Sequence, residues 1–356
     1  MPIEKENLAE AYRIFLEREV ESDAMHQWYD RTFEDIWAAL RHIRKSPEFK
    51  WRNSEAFHVN AGFTYEEFAR CAAWSSRPFP RGLPDFATNF IGQKTRCEYW
   101  NELKPLAGRS FPLGLAGTPG GDIVEWIALT KTVERAEKRF VMAELGAAWG
   151  PWIAAGALLA RRREIEEIRL VAVEADDERY GRIAEHLEDN GLSDLPLRAL
   201  HGIAAPKSGW AQFPVLDDSA HDMGPSAIFT EERPQEGRQM DRRGIEYPYV
   251  LKRAFSLEEI FADEPRFDAV HFDVQGAELE ILESGIDLVD QRCAHLIIGT
   301  HSREIEGGIA RLMMDRGWLL ENERPCTLLH GKFGPASDRD GTQLWKNPKL
   351  VQQPAV

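Results

Sequence analysis

Cysteine is scarce in this chain. Its 356 residues include four, Cys71, Cys97, Cys293 and Cys326, lying far apart with no CxxC pair. That spacing excludes a disulfide framework and a paired-cysteine zinc site, and predicts reduced, ordinary thiols. Long apolar runs are missing as well: nothing approaches the roughly 18 residues needed to span a bilayer. The opening MPIEKENLAE lacks the apolar core of a secretion signal, so the expected location is the cytoplasm, with no membrane partner. Positive charge is also in short supply. Lys and Arg total 44 against 59 Asp and Glu, a formal net charge of -15, and such a field repels phosphate backbones. Nucleic acid is therefore not expected as a substrate.

What is present is a hydrophobic fraction of 43%, enough to bury one large core or two ordinary ones. Leu8 to Lys45 reads as amphipathic helix, with Ile14, Val20, Met25, Trp28, Phe33, Ile36, Trp37 and Leu40 at roughly helical spacing. Tyr65 to Trp74 reads as a further helix, and Ser75 to Gly121 as loops and turns rich in Pro and Gly. Residues 1–121 are thus expected to form a mainly helical N-terminal region, serving as a cover for an acceptor site or as a surface for homo-oligomerisation.

From residue 122 to 356 the texture changes to short apolar runs alternating with helical ones. FVMAEL (140–145), IRLVAVEA (168–175), LPLRALHGIAA (195–205), AVHFDV (269–274) and CAHLIIGT (293–300) read as strands. GWLLENE and TQLWKN supply two more. Alternating strands and helices predict an α/β fold with a mainly parallel sheet, whose ligands sit beyond the carboxyl ends of the strands. The polar stretch from Leu216 to Tyr249 is too long for a simple connector and reads either as a substrate-facing lid or as disorder.

The first strand runs into ELGAAWG, with Glu144, Gly146, Ala148 and Gly150 at alternate positions, and Glu174 closes the second. Glycine after a buried strand lets the backbone turn tightly against a ligand, and a strand-end carboxylate can accept both hydroxyls of a ribose. Ala148 and bulky Trp149 narrow the space a pyrophosphate needs. An acid at Glu144 suits a cationic amino-acid tail better, and S-adenosylmethionine has one.

FVMAELGAAWGPW, RLVAVEADDERYGRIAEHLEDNGL, LHGIAAPKSG, AVHFDVQGAELEIL and IIGTHSREIEG together resemble the FkbM family of S-adenosylmethionine-dependent methyltransferases, over about Phe140 to Pro325. The resemblance implies a Rossmann-like, seven-stranded class I methyltransferase sheet and O-methylation of hydroxyls on polyketides and sugars. It implies that Glu144, Gly146 and Gly150 line the methionine end of the cofactor, with Ala148 where the family often has a third glycine, and that Glu174 holds the ribose. Gln275 lacks the charge the family often carries in that segment.

At the strand ends, Asp273, His301 and then His271 are the candidates to assist deprotonation of the acceptor hydroxyl, and Asp273 also faces the cofactor. Alternation puts His271 and Asp273 on one side of their strand. The three side chains would also satisfy a two-histidine, one-carboxylate metal site, but nothing in the spacing requires one, so no metal is expected beside S-adenosylmethionine. His201 falls where the adenine should rest, Glu278 is expected to cap the following helix, and Trp149 and Trp152 to pack the first helix. The acidic surface and the tryptophans Trp28, Trp37, Trp51 and Trp74 suit a neutral saccharide or glycosylated small molecule. An NAD-dependent oxidoreductase and a catalytically silent binding module on the same fold stand as alternatives.

Overall fold

A computed structural model describes residues 5–16, 19–20, 22–46, 49, 62–76, 81–111, 113, 123–229, 237–240, 245–331 and 334–351. Two compact units divide at Glu66 and Glu67. The smaller holds helices Lys5–Leu16, Asp23–Thr32 and Ile36–Lys45 around a core of Leu8, Tyr12, Leu16, Tyr29 and Ile43. The expected single helix over Leu8 to Lys45 is therefore three. Ser22 and Asp35 break it by accepting from the amides of Met25 and Ala38, which satisfies backbone donors that each helix start leaves orphaned.

The helix Tyr65–Ala72 begins at the division and leads, in the larger unit, to a small sheet of β1 (Phe86–Thr88), β2 (Lys94–Arg96) and β3 (Arg109–Ser110). The stretch read as loops thus contains strands. It packs within the larger unit because Arg96 pairs with both oxygens of Asp189 at 2.7 and 3.0 Å, while Lys94 and Asn190 exchange backbone and amide hydrogen bonds. The division by compactness falls between Glu66 and Glu67.

The main sheet uses β4 (Arg139–Leu145), β5 (Glu167–Glu174) and β6 (Leu197–His201). Next come β7 (Ile203–Ala204), β8 (Gly209–Pro214), β9 (Gly237–Met240) and β10 (Glu246–Phe255), then β11 (Ala269–Phe272), β12 (His295–Thr300), β13 (Leu319–Arg324), the hairpin β14 (Thr327–Gly331) and β15 (Gly334–Arg339), and β16 (Gly341–Lys346). Seven strands lie in the order β13-β16-β12-β11-β4-β5-β6, parallel except where β16 runs antiparallel between β12 and β13. This is the seven-stranded Rossmann-like sheet expected. Its order reverses between β4 and β11, the switch point where ligands of such sheets bind. Helices cover both faces, and the core runs from Val141 and Val173 through Phe272 and Ile298 to Trp345.

Two expectations change in detail. The run Leu195–Ala205 is not one strand: it breaks at Gly202, where a Cβ would lie 2.2 Å from the Arg253 carbonyl oxygen, and β7 passes to a second sheet with β10, β8 and β9. The polar stretch from Leu216 to Tyr249 contributes β9 and the start of β10 to that sheet; its residues 230–236 and 241–244, like Trp51, lie outside the described residues.

At the switch point Gly146 has φ +77°, and a Cβ there would lie 1.9 Å from the Asp273 carbonyl oxygen. Gly146→Ala should lower unfolding stability by about 2–4 kcal/mol through strain and overlap, read from urea unfolding. An unchanged midpoint would contradict the close approach.

Candidate functional site

The carboxyl ends of β4, β5 and β11 leave backbone amides and buried acids side by side. Glu144, buried at the end of β4, accepts from the amides of Trp152 and Ile153 at 3.3 and 2.9 Å, so it caps helix Pro151–Arg162. Burial pushes its pKa up to about 8 in spite of these bonds and of nearby His271. Glu174 ends β5 and spans the glycine turn, accepting from the Ala148 and Asp176 amides at 2.7 Å each. Burial raises it to about 7, against the pull of Arg179. Ala148 adopts φ +48° and Gly150 φ +76°, which coils the turn that presents the Ala148 amide.

Two cavities open at this edge. The first runs from Gly146 and Ala148 past Glu174 to an apolar wall of Ile203, Ala204, Phe213 and Phe229. The roomier second one, about 220 Å³, lies between the β1–β3 segment and the switch point. Its walls include Gln93, Trp100, Phe111, Glu125, Trp126, Trp149 and Trp152. Asp273 and Met223 line both cavities.

Asp273 follows β11, with Gln275 donating to its Oδ1 at 2.7 Å and His301 Nε2 at 3.3 Å from the same oxygen. On its other side His301 Nδ1 is 2.8 Å from Glu278 Oε1. Burial disfavours charge on His301, but Glu278 first and Asp273 second outweigh it, and its pKa rises to about 10. Burial likewise opposes charge on Asp273, yet His301 and His271 hold its carboxyl below the ordinary range. At neutral pH His301 is an imidazolium facing the Asp273 carboxylate. His271 is buried within β11, 3.3 Å from Glu125 Oε1; burial lowers its pKa, but Glu125 and then Glu144 and Asp273 raise it by more.

Residues 156–317 match the family model described as the methyltransferase FkbM domain. A protein of Jannaschia sp. (strain CCS1), whose name assigns it to the methyltransferases, is 28% identical over 270 residues, covering 75% of this chain and 94% of its own. Over that segment the chain is similar to the FkbM methyltransferases. Among solved structures, the precorrin-6Y C5,15-methyltransferase of Geobacter metallireducens GS-15 is 14% identical over 65% of this chain and 91% of its own, with TM-score 0.37. The B. subtilis M1A22 tRNA methyltransferase is 13% identical over 62% of this chain and 64% of its own, with TM-score 0.31.

At this edge the structure gathers Gly146, Ala148, Glu174 and Asp273 around the first cavity. Glu144 and Gly150 are not among its walls; both shape the start of the helix behind it. His201 does not face the first cavity either. It stacks on Tyr180 at 4.3 Å and its Nε2 lies 2.7 Å from Asp177 Oδ1, so Gly202 and Ile203 take the wall position instead. Both ring nitrogens of His301 face acids, Nε2 toward Asp273 and Nδ1 toward Glu278, so the ring lies against the Asp273 carboxyl. Glu278 does not cap its helix but accepts from the Val274 and Gly276 amides upstream, fixing the turn after Asp273. The three groups suggested for a metal separate, since His271 pairs with Glu125, and among the described residues no group of three or more acids, histidines or cysteines forms a metal site.

Glu125 escaped the sequence reading, although it is the lone acid in the otherwise apolar, buried IVEWIALT. Trp149 and Trp152 pack as expected and also wall the second cavity. Trp74 instead donates to Glu134, and Trp28 and Trp37 are exposed in the smaller unit.

A raised imidazole pKa adds stability below the unfolded value near 6.5 and loses it as pH climbs to the folded value. The stability advantage of the native chain over His301→Asn should therefore be full at pH 6 and shrink steadily toward pH 10. Urea unfolding of both proteins across that range measures it; an advantage that grows with pH would overturn the imidazolium assignment.

Proposed function

We propose that the chain is an S-adenosylmethionine-dependent O-methyltransferase acting on a hydroxyl of a saccharide or small secondary metabolite. The single observation that carries this reading is the sharing of Asp273 and Met223 by two adjoining cavities, one suited to a nucleoside and one to its reaction partner. Bound there, the cofactor supplies an electrophilic methyl group on a sulfonium.

The chain's own residues fit that molecule. Glu174 keeps lone pairs beyond its two amide bonds and can accept from ribose hydroxyls. Ile203, Phe213 and Phe229 offer an apolar wall to a base, and the turn at Gly146 lets the backbone approach the amino-acid tail. Asp273 is ionised at neutral pH and can accept a hydrogen bond from the acceptor hydroxyl, orienting its oxygen and drawing off positive charge. Asp273 would take up the hydroxyl proton as the new C–O bond forms and a neutral thioether departs with the C–S electron pair. His301 and Gln275 hold that carboxylate in place.

In this reading the segment carrying Asn89, Gln93, Trp100 and Phe111 walls the acceptor cavity, and the N-terminal helices are a candidate surface for homo-oligomerisation. The protein works in the cytoplasm without metal, nucleic acid or membrane.

Calorimetric titration with S-adenosylmethionine, S-adenosylhomocysteine and NAD tests the proposal. The first two should bind in the micromolar range, and Glu174→Ala should weaken both by about tenfold or more, the loss of charged hydrogen bonds. Binding of NAD alone would favour an oxidoreductase, and binding of none a silent module.

A further inference from the structure

We propose that Arg179 is a positioning residue: it anchors the segment Asp218–Ser226 so that cofactor binding fixes Met223, the wall that the acceptor then meets. The inference rests on the methyl-transfer reading and adds an order to it, cofactor before acceptor.

Arg179 lies buried on the helix Asp177–Asp189 and lines the first cavity. Its Nη2 donates to the Ser219 carbonyl at 2.6 Å and to the Asp222 carbonyl. A guanidinium out of water needs such partners, since a buried charge is costly unless it is hydrogen-bonded. No strand ladder fixes the segment that it grips: residues 216–226 belong to neither sheet. Side chains hold it instead. Tyr247 donates to Asp222 Oδ2, Arg182 to Ser219 Oγ at 3.4 Å, and Tyr249 to the Ser226 carbonyl at 3.5 Å. The Asn101 amide donates to the Ala220 carbonyl at 2.9 Å, next in the chain to Trp100 of the second cavity's wall. A stretch without ladder bonds lies at the low end of local stability, so its order depends on such partners.

Met223 and Pro225 of this segment line the first cavity, and Met223 also lines the second. A ligand seated in the first cavity therefore meets the same short stretch of backbone that Arg179 anchors, and Met223 carries the effect across to the acceptor side. Arg179 also acts on Glu174 through its charge. Anchoring and charge are separated by a variant that keeps one and loses the other.

Hydrogen exchange of the full chain, followed by mass spectrometry with and without S-adenosylhomocysteine, reads the segment directly, and calorimetry gives the affinity. In the native chain the amides of residues 219–226 should exchange about fivefold or more slowly with the ligand bound. Arg179→Lys keeps the charge near Glu174, but its ammonium ends short of the Nη2 position. It should lose that slowing and bind S-adenosylhomocysteine about five- to tenfold more weakly, the worth of one hydrogen bond. Tyr247→Phe is the second variant, because Tyr247 holds the same segment yet is not among the walls of either cavity. It should speed exchange of residues 219–226 in the free chain and weaken the ligand about two- to fivefold, an effect that reaches the cofactor only through the segment. Thermal melts without ligand establish that each variant folds; if Arg179→Lys does not, Tyr247→Phe decides. Ligand binding to the native chain with unchanged exchange at residues 219–226 would overturn the proposal. So would an Arg179→Lys variant that keeps both the slowing and the affinity, or a Tyr247→Phe variant with native affinity in spite of faster exchange. Failure of the native chain to bind S-adenosylhomocysteine would sink the methyl-transfer reading, and this inference with it.

Discussion

The approach of two chain segments at the sheet's switch point governs the rest of the molecule's chemistry. The Asp273 amide donates to the Leu145 carbonyl at 2.9 Å, which carries the pairing of β11 with β4 one step beyond the strand. The chain can come that close only because residue 146 has no side chain. From that contact the glycine turn must curl one way, toward Glu174, and the Asp273 side chain the other, between the two cavities.

Around this contact the protein buries titratable groups and gives each a local partner. Glu144 and Glu174 are held by backbone amides that a helix start and a turn leave unpaired, a use of the same orphan donors that bind anionic ligands elsewhere. Glu278 fixes the turn after β11 in the same way. Where amides do not suffice, imidazoles take over: His301 lies between Asp273 and Glu278, and His271 beside Glu125. Burial raises the cost of leaving any of these groups alone, which keeps the geometry narrow.

Much of this was legible before folding. Parallel strands buried on both faces must be continuous apolar runs, so FVMAEL, IRLVAV and HLIIGT announced themselves, and the glycine spacing with the acid closing β5 marked the ligand edge. Gly202 was harder to read, because the sequence carries no mark that the Arg253 carbonyl lies against it from a strand some fifty residues on. The small β1–β3 sheet was hidden for a similar reason: its strands are too short to show a period, and its docking depends on Arg96, Asp189 and Asn190 meeting across the chain.

The sequence by itself determined the class of fold, the order of strands and helices, and which strand ends could carry chemistry, since all three follow from local hydrophobic period and the demands of turns. Tertiary structure decided what each polar side chain does there. Glu144 turned inward to a helix start, His201 outward to Asp177 and Tyr180, and His301 into a cation, while Glu125 and Trp149 became walls of a cavity. A side chain's partner, and hence its charge, is set by which distant segment packs against it, and local sequence carries no record of that.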